Sequence, residues 1–305
     1  MLNLEWLASL LAEHQDAANS SVDRFTVGKN GLEIGDSPKI MGVINLSHQS
    51  WYRESVCLSE SAAIRRGKLL QAQGADFIDI GGESTLAHAD RVTEDGQTRI
   101  LTPIIKELVA NHITVSIETY SAKVTQAALE AGASIINMTG TGESDLIYEL
   151  AAAAEAAVIV SYVQGQNPRE VDTLQFKSDP YIQFQEYFRK EIDKAAEKSL
   201  HRIIIDPGLG FYYKNLSDGA ERVRYQMETL LQTFRLYNLG KPVCHALPHA
   251  FEFFESDVRS AEPFFAILAA LGKTNVFRTH EVSQTKAVLN TLSCIGPSHT
   301  EAECR

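Results

Sequence analysis

Eight short runs of β-branched and apolar residues, each followed by a segment of helical composition, constrain this chain more than any other feature of its sequence. The runs are 39–45, 76–80, 113–117, 134–137, 157–161, 202–206, 242–245 and 274–278. Runs without strict polar alternation suit strands buried on both faces, as in a parallel sheet. The helical segments are 59–73, 93–110, 121–131, 144–154, 181–199, 220–238, 261–271 and 282–292. Two of them pass into the next run through Gly74-Ala75 and Gly132-Ala133, where the glycine stops the helix and the small residue lets the strand begin close by. Strand then helix, eight times, predicts an α/β fold: a closed (β/α)8 barrel of the TIM type, with an open doubly wound sheet as the alternative. Such barrels run to about 250 residues as one domain, so a chain of 305 residues needs no second one.

Residues outside the repeat give three segments. An N-terminal extension, 1–37, reads as an amphipathic helix with Leu2, Trp6, Leu7, Leu10 and Leu11 on one face, then a short hairpin that covers the barrel floor. The barrel itself is expected over 38–292, and a polar tail over 293–305. The net charge of −11 argues against nucleic acid or an anionic membrane surface as a partner, though not against a local pocket for an anionic ligand. Four cysteines, Cys57, Cys244, Cys294 and Cys304, have no metal-like spacing and read as free thiols of a reducing compartment. The acidic N-terminus lacks the basic start of a secretory signal, and no apolar run nears the roughly 18 residues of a membrane span. The expectation is a cytoplasmic protein.

A barrel carries its chemistry at the C-terminal ends of its strands. Those ends hold Asn45, then Asp79 with Gly81, Gly82, Glu83, Ser84 and Thr85, then Glu118, Asn137, Asp206-Pro207-Gly208, and finally Arg278 and His280. Each has a simpler reading: Asp79 caps a turn, Asn137 satisfies loop backbone, Glu118 is a rim charge in water. Acids or amides at five of eight strand ends instead suggest a polar pocket for a heterocycle offering N–H and NH2 donors, because a buried acid is costly without a donor.

These residues also carry a family signature. Met41-Gly42-Val43-Ile44-Asn45 with Ser47-His48-Gln49-Ser50-Trp51 resembles the first motif of dihydropteroate synthases, and Asp79-Ile80-Gly81-Gly82-Glu83-Ser84-Thr85 matches the second residue for residue. Ser116-Ile117-Glu118-Thr119 resembles Ser-Val-Asp-Thr, and Ile135-Ile136-Asn137 resembles Ile-Ile-Asn-Asp. Asp206-Pro207-Gly208-Leu209-Gly210-Phe211 matches the Asp-Pro-Gly-x-Gly-Phe motif, and Arg278-Thr279-His280-Glu281 resembles Arg-Val-His-Asp. The motifs fall in family order on predicted strand ends, which favours the barrel over the open sheet. The resemblance implies a transferase of folate biosynthesis that joins 6-hydroxymethyl-7,8-dihydropterin diphosphate to p-aminobenzoate and releases pyrophosphate with Mg2+. It implies a pterin held by Glu118, Asn137 and Asp206 with Gly208 and Phe211, and a substrate loop of Asp79, Glu83, Ser84 and Thr85. It further implies Mg2+ at Asn45, a diphosphate held by the catalytic pair Arg278 and His280, and pairing of chains as a homodimer through outer helices.

Departures from the pattern fall in the chemistry. The loop-one Asp is Gln49 and the preceding Pro is His48; the Arg after Glu-Ser-Thr is Leu86; the Asp after Asn137 is Met138. Glu118 is one methylene longer than the usual Asp. The Met-His-Met-x-Gly segment is Ser161-Tyr162-Val163-Gln164-Gly165, and the Gly-Lys after Phe211 is Tyr212-Tyr213-Lys214. The family's Ser-Arg-Lys-Ser aligns with Leu247-Pro248-His249-Ala250, and no Lys occurs between Lys241 and Lys273. Three functions therefore stand open: such a synthase acting on p-aminobenzoate or a related acceptor, a pterin-binding paralogue without that turnover, and a methyltetrahydrofolate-binding methyltransferase. Arg278 and His280 speak against the third, which has no diphosphate to bind.

Overall fold

The computed structural model describes residues 2–47, 55–84, 89–167, 169, 173–175, 179–211, 216 and 218–294. Strands β3 (Lys39–Asn45), β4 (Phe77–Gly81), β5 (Val115–Thr119), β6 (Ile135–Met138), β7 (Ala157–Ser161), β8 (Ile203–Asp206), β9 (Cys244–Ala246) and β10 (Val276–Thr279) form one parallel sheet ordered β8-β7-β6-β5-β4-β3-β10-β9. A parallel bridge between Ile205 and Val243, with the Ile205 N–H donating to the Pro242 carbonyl at 2.9 Å, joins the two ends and closes the barrel. The open-sheet alternative is thereby set aside.

Both faces of each strand are buried, which is why the runs lack alternation. Outward residues such as Ile40, Ile44, Ile78, Ile80, Val115, Ile117, Val158 and Val160 pack against the surrounding helices in one large core. Inward residues Met41, Phe77, Ile135, Ile159, Ile204, Cys244 and Val276 form a second core inside the barrel. Those helices are α3 (Glu60–Gln73), α4 (Glu94–Ala110), α5 (Ala122–Ala131), α6 (Ser144–Ala153), α7 (Pro180–Glu197), α8 (Gly219–Leu231), α10 (Ala261–Leu271) and α11 (Val282–Ser293), with a four-residue α9 (Phe251–Phe254) before α10. Ser59, Thr93, Ser121, Asp179 and Asp218 cap the starts of α3, α4, α5, α7 and α8 with side-chain oxygens, each worth about 1 kcal/mol. Gly74 and Gly132 end α3 and α5 at φ +108°, a left-handed turn that costs other residues more.

The N-terminal hairpin, β1 (Phe25–Val27) and β2 (Leu32–Ile34), presses Val27 and Ile34 into the inner core from below. Residues 1–20 depart from a single helix: α1 (Leu4–Glu13) and α2 (Gln15–Asn19) break at His14. Leu7 and Leu10 pack inward while Leu2, Trp6 and Leu11 stay exposed, so the expected apolar face is split. The expected helix 220–238 stops at Leu231 and continues as a 3-10 turn over Thr233–Leu239. There the Thr233 hydroxyl reaches the carbonyls of Thr229 and Leu230, which competes with the regular backbone ladder. Among the described residues no helix is long and apolar enough to cross a membrane.

Candidate active site

Register brings the strand-end residues together. Asn45 pairs with Gly81, Gly81 with Glu118, and Glu118 with Asn137, so these four residues on β3 to β6 lie side by side facing the interior. Two residues earlier, on the same face, lie Asp79 and its neighbour Ser116. Above them opens a cavity of about 360 Å3 lined by Asn45, Glu83, Ser84, Glu118, Asn137, Asp206, Gly208, Phe211, Arg278 and His280 among others. Thr85 lies outside the described residues, as do His48, Gln49, Leu86, Tyr212, Tyr213, Lys214 and Cys304.

Asp79 lies within β4, 0% exposed, below the cavity rather than in a substrate loop. It accepts the Ser116 hydroxyl at 2.7 Å, the Asn137 amide at 3.0 Å and Arg278 Nε at 2.9 Å. Three donors make its burial tolerable, and the turn-capping reading is excluded. Arg278 Nη2 donates in turn to Glu118 Oε2 at 2.5 Å. The longer Glu side chain thus reaches a guanidinium instead of standing in water at the rim. Burial works against the charge of Arg278, but Glu118 and Asp79 outweigh it and hold the guanidinium well above its ordinary value. Burial pushes the Glu118 carboxyl up to about 7 against the pull of Arg278, and Asp79 and Asp206 add to the rise. Asp206 is raised by burial to about 6, although its bond from the Gly208 N–H and the charge of Arg278 favour ionisation. Asn137 gives its amide hydrogen to Asp79, and among the described residues nothing donates to its buried Oδ1.

Gly208 takes φ +80°, and a Cβ there would stand 2.6 Å from the Tyr162 carbonyl oxygen and 3.2 Å from the Phe211 ring. Only glycine fits this turn, which aims the Gly208 N–H at Asp206 Oδ1, 2.7 Å away. The Asn45 amide nitrogen donates to Ser55 at 2.6 Å, which orients its side chain. Glu83 is taken up by scaffold contacts: Oε1 accepts the Val92 N–H at 3.0 Å and lies 3.5 Å from Arg169, and Oε2 accepts the Tyr120 hydroxyl at 2.8 Å. Burial first, and that bond second, push Tyr120 up to about 12. Arg169 also donates to the carbonyls of Ser84 and Ala89.

At the mouth, His280 Nδ1 lies 2.8 Å from Glu262 Oε1, and the His280 backbone N–H donates to Glu262 Oε2 at 2.8 Å. Glu262 is 0% exposed; burial acts to raise its carboxyl, but His280, His249 and Thr279 prevail and bring it down to about 2. His249, which aligns with the missing Lys, is pushed down to about 4 by burial despite Glu262. It is neutral near pH 7 and does not replace the lost charge. Sequence reading missed Glu262, Arg169, Ser55 and Tyr120. Glu262 resembles any acid in the first turn of a helix, and Arg169 sits in a loop with no periodic signal.

The model of the pterin binding enzyme family matches residues 41–240. The chain is 30% identical over 221 residues to dihydropteroate synthase of Synechocystis sp., covering 71% of this chain and 73% of that one. It is 28% identical over 302 residues to a probable bifunctional folylpolyglutamate synthase/dihydropteroate synthase of Haloferax volcanii, covering 95% of this chain but 34% of that protein. It therefore spans about a third of the length of that relative. A solved structure of the Yersinia pestis dihydropteroate synthase with a sulfonamide drug superposes with a TM-score of 0.76 over 89% of this chain and 98% of the other. At 21% identity that likeness speaks for the fold alone.

Proposed function

This chain belongs to the pterin binding enzyme family, and on that premise we propose that it is a transferase of folate biosynthesis. It would join 6-hydroxymethyl-7,8-dihydropterin diphosphate to p-aminobenzoate or a related arylamine and release pyrophosphate. One observation carries the reading: Asn137 presents a buried acceptor, unpaired among the described residues, between two raised carboxylates, Glu118 and Asp206. An orphaned buried acceptor costs about 1–3 kcal/mol. A heterocycle with N–H and NH2 donors on one edge relieves that cost while charging the two acids. Ligands lacking those donors leave the groups unpaired and are rejected.

In this reading the C–O bond to the diphosphate breaks first, and the acids around the ring stabilise the resulting pterin cation. The arylamine nitrogen then bonds to the freed methylene carbon and gives up a proton. Arg278 and His280, both on the cavity wall, would hold the departing diphosphate. Asn45 suits Mg2+: its amide nitrogen is engaged by Ser55, which leaves the carbonyl oxygen as the atom it offers the cavity, a hard ligand that substrate phosphates and water would complete. Bound there, the ion would neutralise diphosphate charge. A reducing cytoplasm agrees with the unpaired thiols of Cys57 and Cys244, and a homodimer through outer helices belongs to the same reading. Purified protein given the pterin diphosphate and p-aminobenzoate is expected to release pyrophosphate, and no release at high enzyme concentration overturns the transfer.

A second reading is favoured by one feature of the cavity: its wall after β9 is Leu247, Pro248 and a neutral His249, with no lysine. A pterin-binding protein with a different acceptor, or none, has such a wall. Calorimetry with a reduced pterin then gives binding while the pyrophosphate assay stays silent. Absence of pterin binding rejects both readings.

A further inference from the structure

His249, Glu262 and His280 come from three separate elements: the loop after β9, the first turn of α10 and the residue after β10. One candidate ligand atom of each lies within 4.8 Å of the other two. His280 Nδ1 stands 2.8 Å from Glu262 Oε1, and His249 Nδ1 stands 3.4 Å from the same oxygen. Imidazole nitrogens and carboxylate oxygens bind a zinc-like ion at about 2.0–2.1 Å. Two such ligands therefore lie about 2.9 Å apart across an octahedral angle and about 3.4 Å across a tetrahedral one. The two distances to Glu262 Oε1 match that spacing. We propose that these three side chains bind a divalent first-row transition ion, of the zinc or iron(II) class, at the mouth of the barrel.

The carboxylate is held for this task. Glu262 Oε2 accepts the backbone N–H groups of His280 at 2.8 Å and Glu281 at 3.1 Å, together with the Thr279 hydroxyl. That anchorage turns Oε1 toward both rings, as outer contacts orient ligands in natural metal sites. Two imidazoles and one carboxylate leave coordination positions open, the pattern of catalytic zinc and of non-haem iron centres. His249 and His280 line the cavity and Glu262 does not, so the open side faces the cavity and takes an anionic oxygen ligand, phosphate foremost. This chemistry differs from that of Mg2+ at Asn45, which prefers oxygen ligands throughout. The ion would also return positive charge to a wall without lysine. The competing explanation is that a proton alone joins His280 to Glu262. The proposal stands apart from the transferase reading, because its test uses metal and no pterin.

The full chain is stripped with a chelator, dialysed, and titrated with Co2+ near neutral pH while its visible ligand-field bands are followed. The expected result is one Co2+ per chain with nitrogen–oxygen bands, displaced by Zn2+, and an affinity lower by at least about tenfold in His249→Ala. Circular dichroism and the metal-free unfolding midpoint check that this variant folds. No bands in the wild type, or equal affinity in a folded His249→Ala, overturns the proposal. Should that variant not fold, 15N spectra of the wild-type imidazoles decide: Zn2+ must shift the ring nitrogens of two histidines, and unshifted rings overturn the site.

Discussion

Arg278 Nε meets Asp79 Oδ2 at 2.9 Å inside the barrel, although the two residues are 199 positions apart in the chain. The contact spans β10 and β4 with β3 between them, and Nη2 extends it to Glu118 on β5. One guanidinium therefore joins three strands across a run of four and offsets two buried acids. The cation expected to meet a diphosphate is also the cation that keeps the cavity floor folded.

Arg278→Ala should accordingly be costly to stability as well as to activity. Removing one partner from a buried ion pair costs about 3–5 kcal/mol, because the remaining charges stay buried. Urea unfolding should show a loss of that size, and Arg278→Lys should restore only part of it, having no fork to reach both acids. A midpoint unchanged in Arg278→Ala would show that the guanidinium is not what tolerates Asp79 and Glu118.

Pterin affinity should rise with pH. Glu118 and Asp206, raised by burial to about 7 and about 6, are largely protonated near pH 5 and ionised near about pH 8, where they accept the donors of the ring. Their effect on the free protein has the opposite sign. A carboxyl whose folded value is raised adds stability below its unfolded value, and that stability is lost as pH rises through the folded value. Calorimetric titration with a reduced pterin across this window, repeated with Glu118→Gln, should show the slope and its partial loss. A flat profile would remove these acids from the binding site.

Gly208→Ala should weaken pterin binding more than it weakens the fold. Left-handed backbone costs an L-residue about 1–2 kcal/mol, and the new methyl would crowd the Tyr162 carbonyl. Relief requires the turn to shift, which withdraws the Gly208 N–H from Asp206. A tenfold loss of affinity corresponds to about 1.4 kcal/mol, and a loss near that size is expected by calorimetry. Unchanged affinity would mean that the turn does not position Asp206.

Glu83 makes the reverse case. Its oxygens already serve the Val92 N–H, the Tyr120 hydroxyl and Arg169, so Glu83→Gln should lower unfolding stability by about 1–3 kcal/mol. Its effect on pterin affinity should be small by comparison. The opposite split would make Glu83 a substrate contact.

The barrel was legible because strands buried on both faces and helices with glycine stops leave separate marks in sequence, as at Lys39–Asn45 and at Gly74. Asp79, Glu118, Asn137 and Asp206 were legible as residues too polar for the strands that carry them. Their mutual pairing was not. Nothing in the sequence says that Arg278 turns inward to two acids, because that depends on register between strands far apart in the chain. Glu262 was hidden for a similar reason: an acid in the first turn of a helix has an ordinary explanation, and only folding sets it beside His249 and His280. The helix break after Leu231 escaped because Thr233 is compatible with either continuation until its hydroxyl finds His245 Nε2 at 2.8 Å.

Val27 and Ile34, 2% and 1% exposed, stopper the lower end of the barrel, and the Asn275 amide fastens the end of that hairpin by donating to the Gly35 carbonyl at 2.9 Å. Among the described residues the barrel is therefore filled and stoppered at its lower end, and the cavity lies at the other. In the proposed transfer, both reactants and both products would use that end, where His249 and His280 line the cavity. A ligand seated against Asn137 and Asp206 would then arrive before, and leave after, one seated nearer His249 and His280.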